Sequence, residues 1–176
     1  TETVFRSDAR PDFEPFEESC GTIKGFTYAG DLASDVAAGT VDKAGALGLL
    51  DDMMAIREME EMIVRLRSGG GYEPLPGYDY RGPTHVSIGQ EASAVGASSV
   101  LRITDNVTSS HRGHGDAIAK GFSALRQMTD EQLRARTAAA GDATRDALLE
   151  AALEEHLYKV IAELFGKDEG YSRGRG

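Results

Sequence analysis

Between Lys43 and Ser68 the apolar residues Leu49, Met53, Ile56, Met59, Ile63 and Leu66 recur at steps of three and four. That is the period of one helical face, and it commits the chain to a long amphipathic helix before anything else is known of it. Arg57, Glu58, Glu60, Glu61, Arg65 and Arg67 fill much of the remaining circumference, with opposite charges close enough to pair across a turn. Four of the five methionines lie in this stretch, and methionines at helical spacing read as adaptable core rather than as ligands. Gly69-Gly70-Gly71 ends the helix. The loop that follows, Tyr72 to Pro83, is rich in proline, glycine and tyrosine, a composition suited to lining a site.

A chain of 176 residues with 40% hydrophobic content supports one ordinary core. A net charge of −10 argues against general nucleic-acid or anionic-membrane binding, both of which rely on an excess of Lys and Arg. The single cysteine, Cys20, excludes an intrachain disulfide and fits a reducing, cytoplasmic compartment. No apolar run is long enough to span a bilayer, and the acidic, proline-bearing start is unlike a signal peptide. A chain that begins at Thr1 and stops in the Gly/Arg segment Ser172-Arg-Gly-Arg-Gly176 is expected to be a piece of something longer.

Residues 1–42, with Pro11, Pro15 and the scattered aromatics Phe5, Phe13, Phe16, Phe26 and Tyr28, read as an arm without sustained periodicity. After the tyrosine loop, Thr84 to Glu91 leads into a second helix with Ala92, Val95, Gly96 and Ser99 on one small-residue face. A further helix is predicted from Asp116 to about Met128. Thr129-Asp-Glu-Gln132 has the form of a capping box opening another, and Ala138 to Thr144 reads as a break. Leu149, Leu153, Leu157, Val160 and Leu164 then mark a strongly amphipathic helix stopping at Gly166, with His156 as a structural residue on its flank. The coarse sum is a mostly helical chain with one or two short strands.

Thr104-Asp-Asn-Val-Thr-Ser-Ser-His-Arg-Gly-His-Gly115 carries the chemistry. Val107 and Thr108 suit an extended segment, while Gly113 and Gly115 allow a tight turn or a close ligand. Arg112 offers a planar fork of donors for a phosphate, beside imidazoles at His111 and His114 that can donate, accept or shuttle protons. With a helix starting after Gly115, an anion here would also face free helix N–H groups. The alternative is a polar surface turn. A His-only metal site from His85, His111 and His114 is a further reading, against which Arg112 between two ligands would repel a cation. Ser109 or Ser110 as a nucleophile beside His111 is disfavoured, because neighbours on an extended segment face opposite ways.

The ordered set His85-Val-Ser-Ile-Gly-Gln-Glu-Ala92, Ser110-His-Arg-Gly-His-Gly115, Ala119-Lys-Gly121, Ala162-Glu-Leu-Phe-Gly-Lys167 and Ser172-Arg-Gly-Arg-Gly176 resembles the α component of the thiamine-diphosphate-dependent 2-oxo acid dehydrogenase E1 enzymes. The likeness runs from about Met53 to Gly176. It implies that the described helices are the N-terminal region of an α/β thiamine-diphosphate-binding fold, mostly α in the part given. It divides the chain into an arm, 1–42, and the N-terminal part of the binding domain, 43–176, with an inserted helical segment at about 123–157. That insertion and the acidic arm look like the subset in which α and β parts are fused.

By the resemblance, Arg112 and the residue before it, His111 where the family often has tyrosine, bind the cofactor diphosphate. His85 would lie in the active-site channel and His114 near the cofactor's reactive end, each able to orient substrate, stabilise developing charge or assist acyl transfer. The implied reaction is oxidative decarboxylation of a 2-oxo acid, with pyruvate, a branched-chain 2-oxo acid and acetoin all open, and transfer of the acyl group to lipoyllysine of an E2 partner. The implied assembly is α2β2 or a fused-chain homodimer with an E1 β component or β half. The Mg2+ ligands of the family's Gly-Asp-Gly…Asn motif are expected downstream of Gly176, and the glutamate that activates the cofactor in β. A helical docking piece without chemistry is the competing class, and the clustered imidazoles and tyrosine loop are what it leaves without a purpose.

Overall fold

The computed structural model describes residues 21, 22, 25, 27–69, 71–80, 85–137 and 142–175. The expectations placed on Cys20, on the arm's Phe5, Phe13, Phe16 and Phe26, and on 138–141 lie outside these residues. Among the described residues six helices follow one another: α1 (Leu32–Ala38), α2 (Lys43–Arg67), α3 (Glu91–Ser99), α4 (His114–Arg126), α5 (Asp130–Arg136) and α6 (Arg145–Leu164).

α2 is the predicted long helix. Asp42 caps it by accepting from the Gly45 N–H at 2.6 Å. Its buried face is Ile56, Met59, Met62, Ile63 and Leu66, as the periodicity requires, but Asp52 and Glu60 are buried in the same face. Glu60 therefore departs from the surface role that its acidic neighbours suggest. Arg65 and Glu61 do pair across a turn, at 3.2 Å, whereas Arg57 reaches forward to Glu91 on α3, at 2.7 Å. Gly69, at φ 73°, supplies the left-handed turn after the helix.

α4 is the hub, packing against α2, α3 and α6, while α5 packs on α6. Ile118, Ala119 and Phe122 of α4 join the α2 face, with Ala94 and Val95 of α3, in the main core. A second, smaller cluster of Leu125, Leu133, Leu148 and Ala152 fastens α5 and the start of α6 to the end of α4. Arg145 ties the same junction by donating to the Arg126 and Met128 carbonyls, both at 3.1 Å.

The expected small-residue face of α3 is displaced by one position. Val95 is buried, but its companions are Glu91, Ala94 and Ser98, and Ala92, Gly96 and Ser99 are exposed. The Arg57–Glu91 pair and the Ser123 Oγ bond to the Ser98 carbonyl, at 2.8 Å, turn that side of the helix inward. The capping box at Thr129 forms in full, each of Thr129 and Gln132 satisfying the other's backbone N–H.

His156 corrects a second expectation, since it lies in the buried line of α6 with Leu148, Ala152 and Val160, not on the flank. Its Nε2 donates to the Ala117 carbonyl at 3.2 Å, and its Nδ1 accepts from Tyr171 at 2.6 Å. Burial pushes its pKa below the ordinary histidine value, so the ring is neutral. It stands directly over Gly121, where α4 and α6 approach closely.

Two further outcomes concern elements. The arm contains a short helix that the sequence reading missed, α1, opened by an Asp31/Ser34 capping box and with no buried residue. No strand forms among the described residues. Residues 105–110 have no regular element and find no neighbouring extended segment to pair with, so the β-branched Val107 and Thr108 stay outside a sheet. The mostly helical class holds. Among the described residues no helix is long and apolar enough to cross a membrane.

Candidate active-site cavity

The segment between α3 and α4 is anchored at its start and its end. At the start, Gln127 accepts from the Ile103 N–H at 3.0 Å and donates to the Leu101 carbonyl at 2.9 Å, and Arg102 pairs with Asp105 at 2.7 Å. At the end, the Ser109 hydroxyl donates to the Asp116 carboxylate in the first turn of α4. Gly113 makes this turn possible: a Cβ there would lie 2.7 Å from the Ser109 Cβ and 3.0 Å from the Ser110 carbonyl. Gly113 is also the N-cap of α4, and no side chain caps that end, so the first-turn N–H groups remain open to a ligand.

Beside this helix end lies a cavity of about 820 Å3, in the range of small-molecule sites. His85, His111 and His114 all line it, joined by Lys120 from α4 and by Tyr171 and Glu163 from the C-terminal side. Three of the four site residues predicted from sequence thus share one cavity. The rings of His85 and His111 meet edge to face, with centroids 5.1 Å apart. His114 is fixed from behind: its Nδ1 is 3.1 Å from Glu60 Oε1, which also accepts from Ser87 Oγ at 2.7 Å.

Arg112 is the exception. It lines a separate small cleft with Ser87, Gln90 and Glu91, and its Nη1 reaches the Val86 carbonyl at 3.5 Å, the outer limit of a hydrogen bond. His111 and Arg112 are the two central residues of a turn closed by the Gly113 N–H on the Ser110 carbonyl at 3.0 Å, and of the two His111 has taken the cavity side. In the same cleft Glu91 accepts from Arg57 and from the Gly89 N–H. The Arg57 guanidinium and these backbone N–H groups hold its carboxyl down at about 2, against the pull of burial.

Sequence reasoning missed Glu60 and the C-terminal wall. Glu60 had a signal, since it lies four residues after Ile56 and three before Ile63, in phase with the apolar face. Tyr171 and Glu163 had none, being brought in by packing: Glu163 accepts from the Ser172 N–H at 2.6 Å and the Gly174 N–H at 3.1 Å, folding the terminal segment back over α6. The tyrosine loop closes the other side, with Tyr78 stacked on Phe165 at 5.3 Å and Tyr80 buried against the same ring. Among the described residues no group of three or more His, Cys, Asp or Glu could hold a metal, so the His-only metal reading gains no geometry.

Residues 52–165 match the family model for the dehydrogenase E1 component. The α subunit of acetoin:2,6-dichlorophenolindophenol oxidoreductase from Bacillus subtilis is 41% identical over 131 residues, 74% of this chain and 27% of that protein. Its counterpart from Cupriavidus necator is 36% identical over 98 residues, 56% of this chain and 27% of that protein. The mitochondrial pyruvate dehydrogenase E1 component subunit α of Schizosaccharomyces pombe is 33% identical over 136 residues, 77% of this chain and 23% of that protein. The chain spans about a quarter of the length of these curated relatives. No solved structure matches.

Proposed function

The chain belongs to the dehydrogenase E1 component family, and from that premise we propose that it is the α region of a thiamine-diphosphate-dependent 2-oxo acid dehydrogenase. The enzyme decarboxylates a 2-oxo acid oxidatively and passes the acyl group to lipoyllysine of an E2 partner, working with an E1 β component or β half. The observation that carries this reading is the convergence of His85, His111 and His114 on one cavity at the uncapped N-terminus of α4.

The donor set fits a diphosphate. His111 and the first-turn N–H groups of α4 would hold its oxygens, with Lys120 as a cationic group on the cavity wall and Arg112 adding charge from the neighbouring cleft. Among the described residues no group of three or more His, Cys, Asp or Glu could hold Mg2+. When bound, thiamine diphosphate supplies a nucleophile and an electron sink for decarboxylation. His114 contributes a proton acceptor at Nε2, because Nδ1 is engaged by Glu60. His85, edge to face with His111, is placed to orient the substrate carboxylate or its developing charge.

The test is carbon dioxide release and acyl-lipoyl formation by the assembled enzyme with pyruvate and branched-chain 2-oxo acids. Turnover of one of them supports the reading. Cleavage of acetoin alone favours a second reading, to which the 41% identity to an acetoin oxidoreductase subunit points, and turnover of neither refutes both. Arg112 meets a diphosphate once its guanidinium leaves the Val86 carbonyl and turns to the cavity, and on that reading Arg112→Ala is expected to weaken thiamine diphosphate binding by roughly 10- to 100-fold. Unchanged affinity removes Arg112 from the site.

A further inference from the structure

Glu60 lies in the middle of α2 with none of its surface exposed, where a carboxylate is costly unless donors hold it. Two donors converge on Oε1, Ser87 Oγ from the loop before α3 and His114 Nδ1 from the first turn of α4. Among the described residues Oε2 is the one buried side-chain polar atom without a hydrogen-bond partner. Burial opposes ionisation, but the bonds from His114 and Ser87 outweigh it and hold the carboxyl below its ordinary value. The group is an anion at neutral pH and can only accept, so the hydrogen between it and the ring belongs to Nδ1. Packing does not account for this choice: an apolar side chain of similar volume fills the same space with no orphaned oxygen. Unsatisfied buried groups of this kind gather where function holds them.

We propose that Glu60 is a positioning residue, which fixes His114 as the Nδ1–H tautomer and so presents Nε2 to the cavity as the proton-accepting atom. This rests on the reading of His114 as the imidazole that handles protons there. Ser87 shares Oε1 with the ring and so keeps that oxygen turned toward it. The negative charge behind Nδ1 also favours the imidazolium once Nε2 has taken a proton, as in other carboxylate–histidine pairs.

Long-range 1H–15N spectra of the imidazoles in the intact protein read the tautomer directly, with the His114 signals assigned by their loss in His114→Gln. The wild type is expected to show a protonated Nδ1 and a bare Nε2 above the titration midpoint of the ring. Glu60→Leu is expected to move the proton to Nε2, with the His85, His111 and His156 signals kept as evidence of an intact fold. A protonated Nε2 in the wild type, or a folded Glu60→Leu with an unchanged tautomer, overturns the proposal. Where Glu60→Leu does not fold, Glu60→Gln decides. Its amide oxygen still accepts from Nδ1–H but the charge is gone, so the tautomer persists and the midpoint of His114 falls by about one pH unit or more. An unchanged or raised midpoint overturns the proposal. The other charges around the ring, His85, His111, Asp116, Lys120 and Glu163, are common to both proteins and cancel in the comparison, as does the Arg57–Glu91 pair behind α3. None of these readouts depends on the cofactor. A protein with the expected tautomer but no turnover therefore refutes the functional reading and leaves the role of Glu60 standing.

Discussion

Replacing Gly121 with alanine sets two effects of opposite sign against each other. In an exposed helix interior the change stabilises by about 1 kcal/mol, because alanine is the better helix former. At this position the new Cβ would lie 2.6 Å from Cδ2 of His156 and closer still to Cε1 and Nε2. Ordinary carbon contacts begin at about 3.5 Å, so the ring must move by roughly 1.5 Å or α4 and α6 must part. The ring is not free to move, held by Tyr171 at 2.6 Å and the Ala117 carbonyl at 3.2 Å. Overpacking costs about 1–3 kcal/mol, and stretching two buried hydrogen bonds adds roughly 0.5–1.5 kcal/mol each. After subtracting the propensity gain, the net expectation is a destabilisation of roughly 1–5 kcal/mol, seen as a lower urea midpoint at unchanged slope. Because Tyr171 lines the cavity, amides at 171–174 should also exchange faster. Gly121→Ala/His156→Ala removes the clash and should recover part of the loss, with a coupling of about 1–3 kcal/mol. A neutral or stabilised Gly121→Ala would mean that the helices do not approach as described.

Two other perturbations test the charges and caps. The Glu91 carboxyl sits at about 2 instead of its ordinary 4.5, so its ion pair stabilises the fold fully above pH 4.5 and loses that effect as pH falls through 2. Arg57 is 43% exposed, and with that screening the contribution is roughly 1–2 kcal/mol. Glu91→Gln should show that deficit at pH 7 and converge on the wild type near pH 2, and parallel stability curves across this range would refute the assignment. Thr129→Ala removes half of the capping box of α5 and should cost about 1 kcal/mol, read as faster amide exchange at Glu131 and Gln132. Unchanged protection there would show that the box does not hold the helix end.

Local rules made most of the helices legible. The apolar period of α2, the Thr129/Gln132 box and the stop at Gly166 each depend on a few neighbouring residues, and each is formed. The site was legible as a composition, since the ordered motifs named three residues that do share a cavity. The errors lie where a distant partner decides. Glu91 turns α3 by one position because Arg57 waits on α2, and His156 is drawn into the core by a carbonyl on α4 and a hydroxyl beyond α6. Arg112 was grouped with His111 by adjacency in sequence, yet the two are the central residues of the 110–113 turn and line different cavities.

Among the described residues three carboxylates are buried between the helices, and their partners separate structure from chemistry. Asp52 of α2 is tied to Arg126 at the end of α4, and Glu91 of α3 to Arg57 of α2. Burial raises the Asp52 carboxyl while Arg126 pulls it back, as expected of a pair whose main effect is to fix one helix against another. An arginine keeps its charge at any ordinary pH, so neither pair can pass a proton on. Glu60 is different in kind. Its charged-pair partner is a histidine, the side chain that can change protonation near neutrality, and that histidine opens onto the cavity. A fold that needed only a second clamp between α2 and α4 had an arginine available for it, and Arg126 shows the arrangement. The choice of an imidazole at the uncapped end of α4 places the one titrating partner where a ligand can meet it, which ties the packing of α2 to the chemistry of the site.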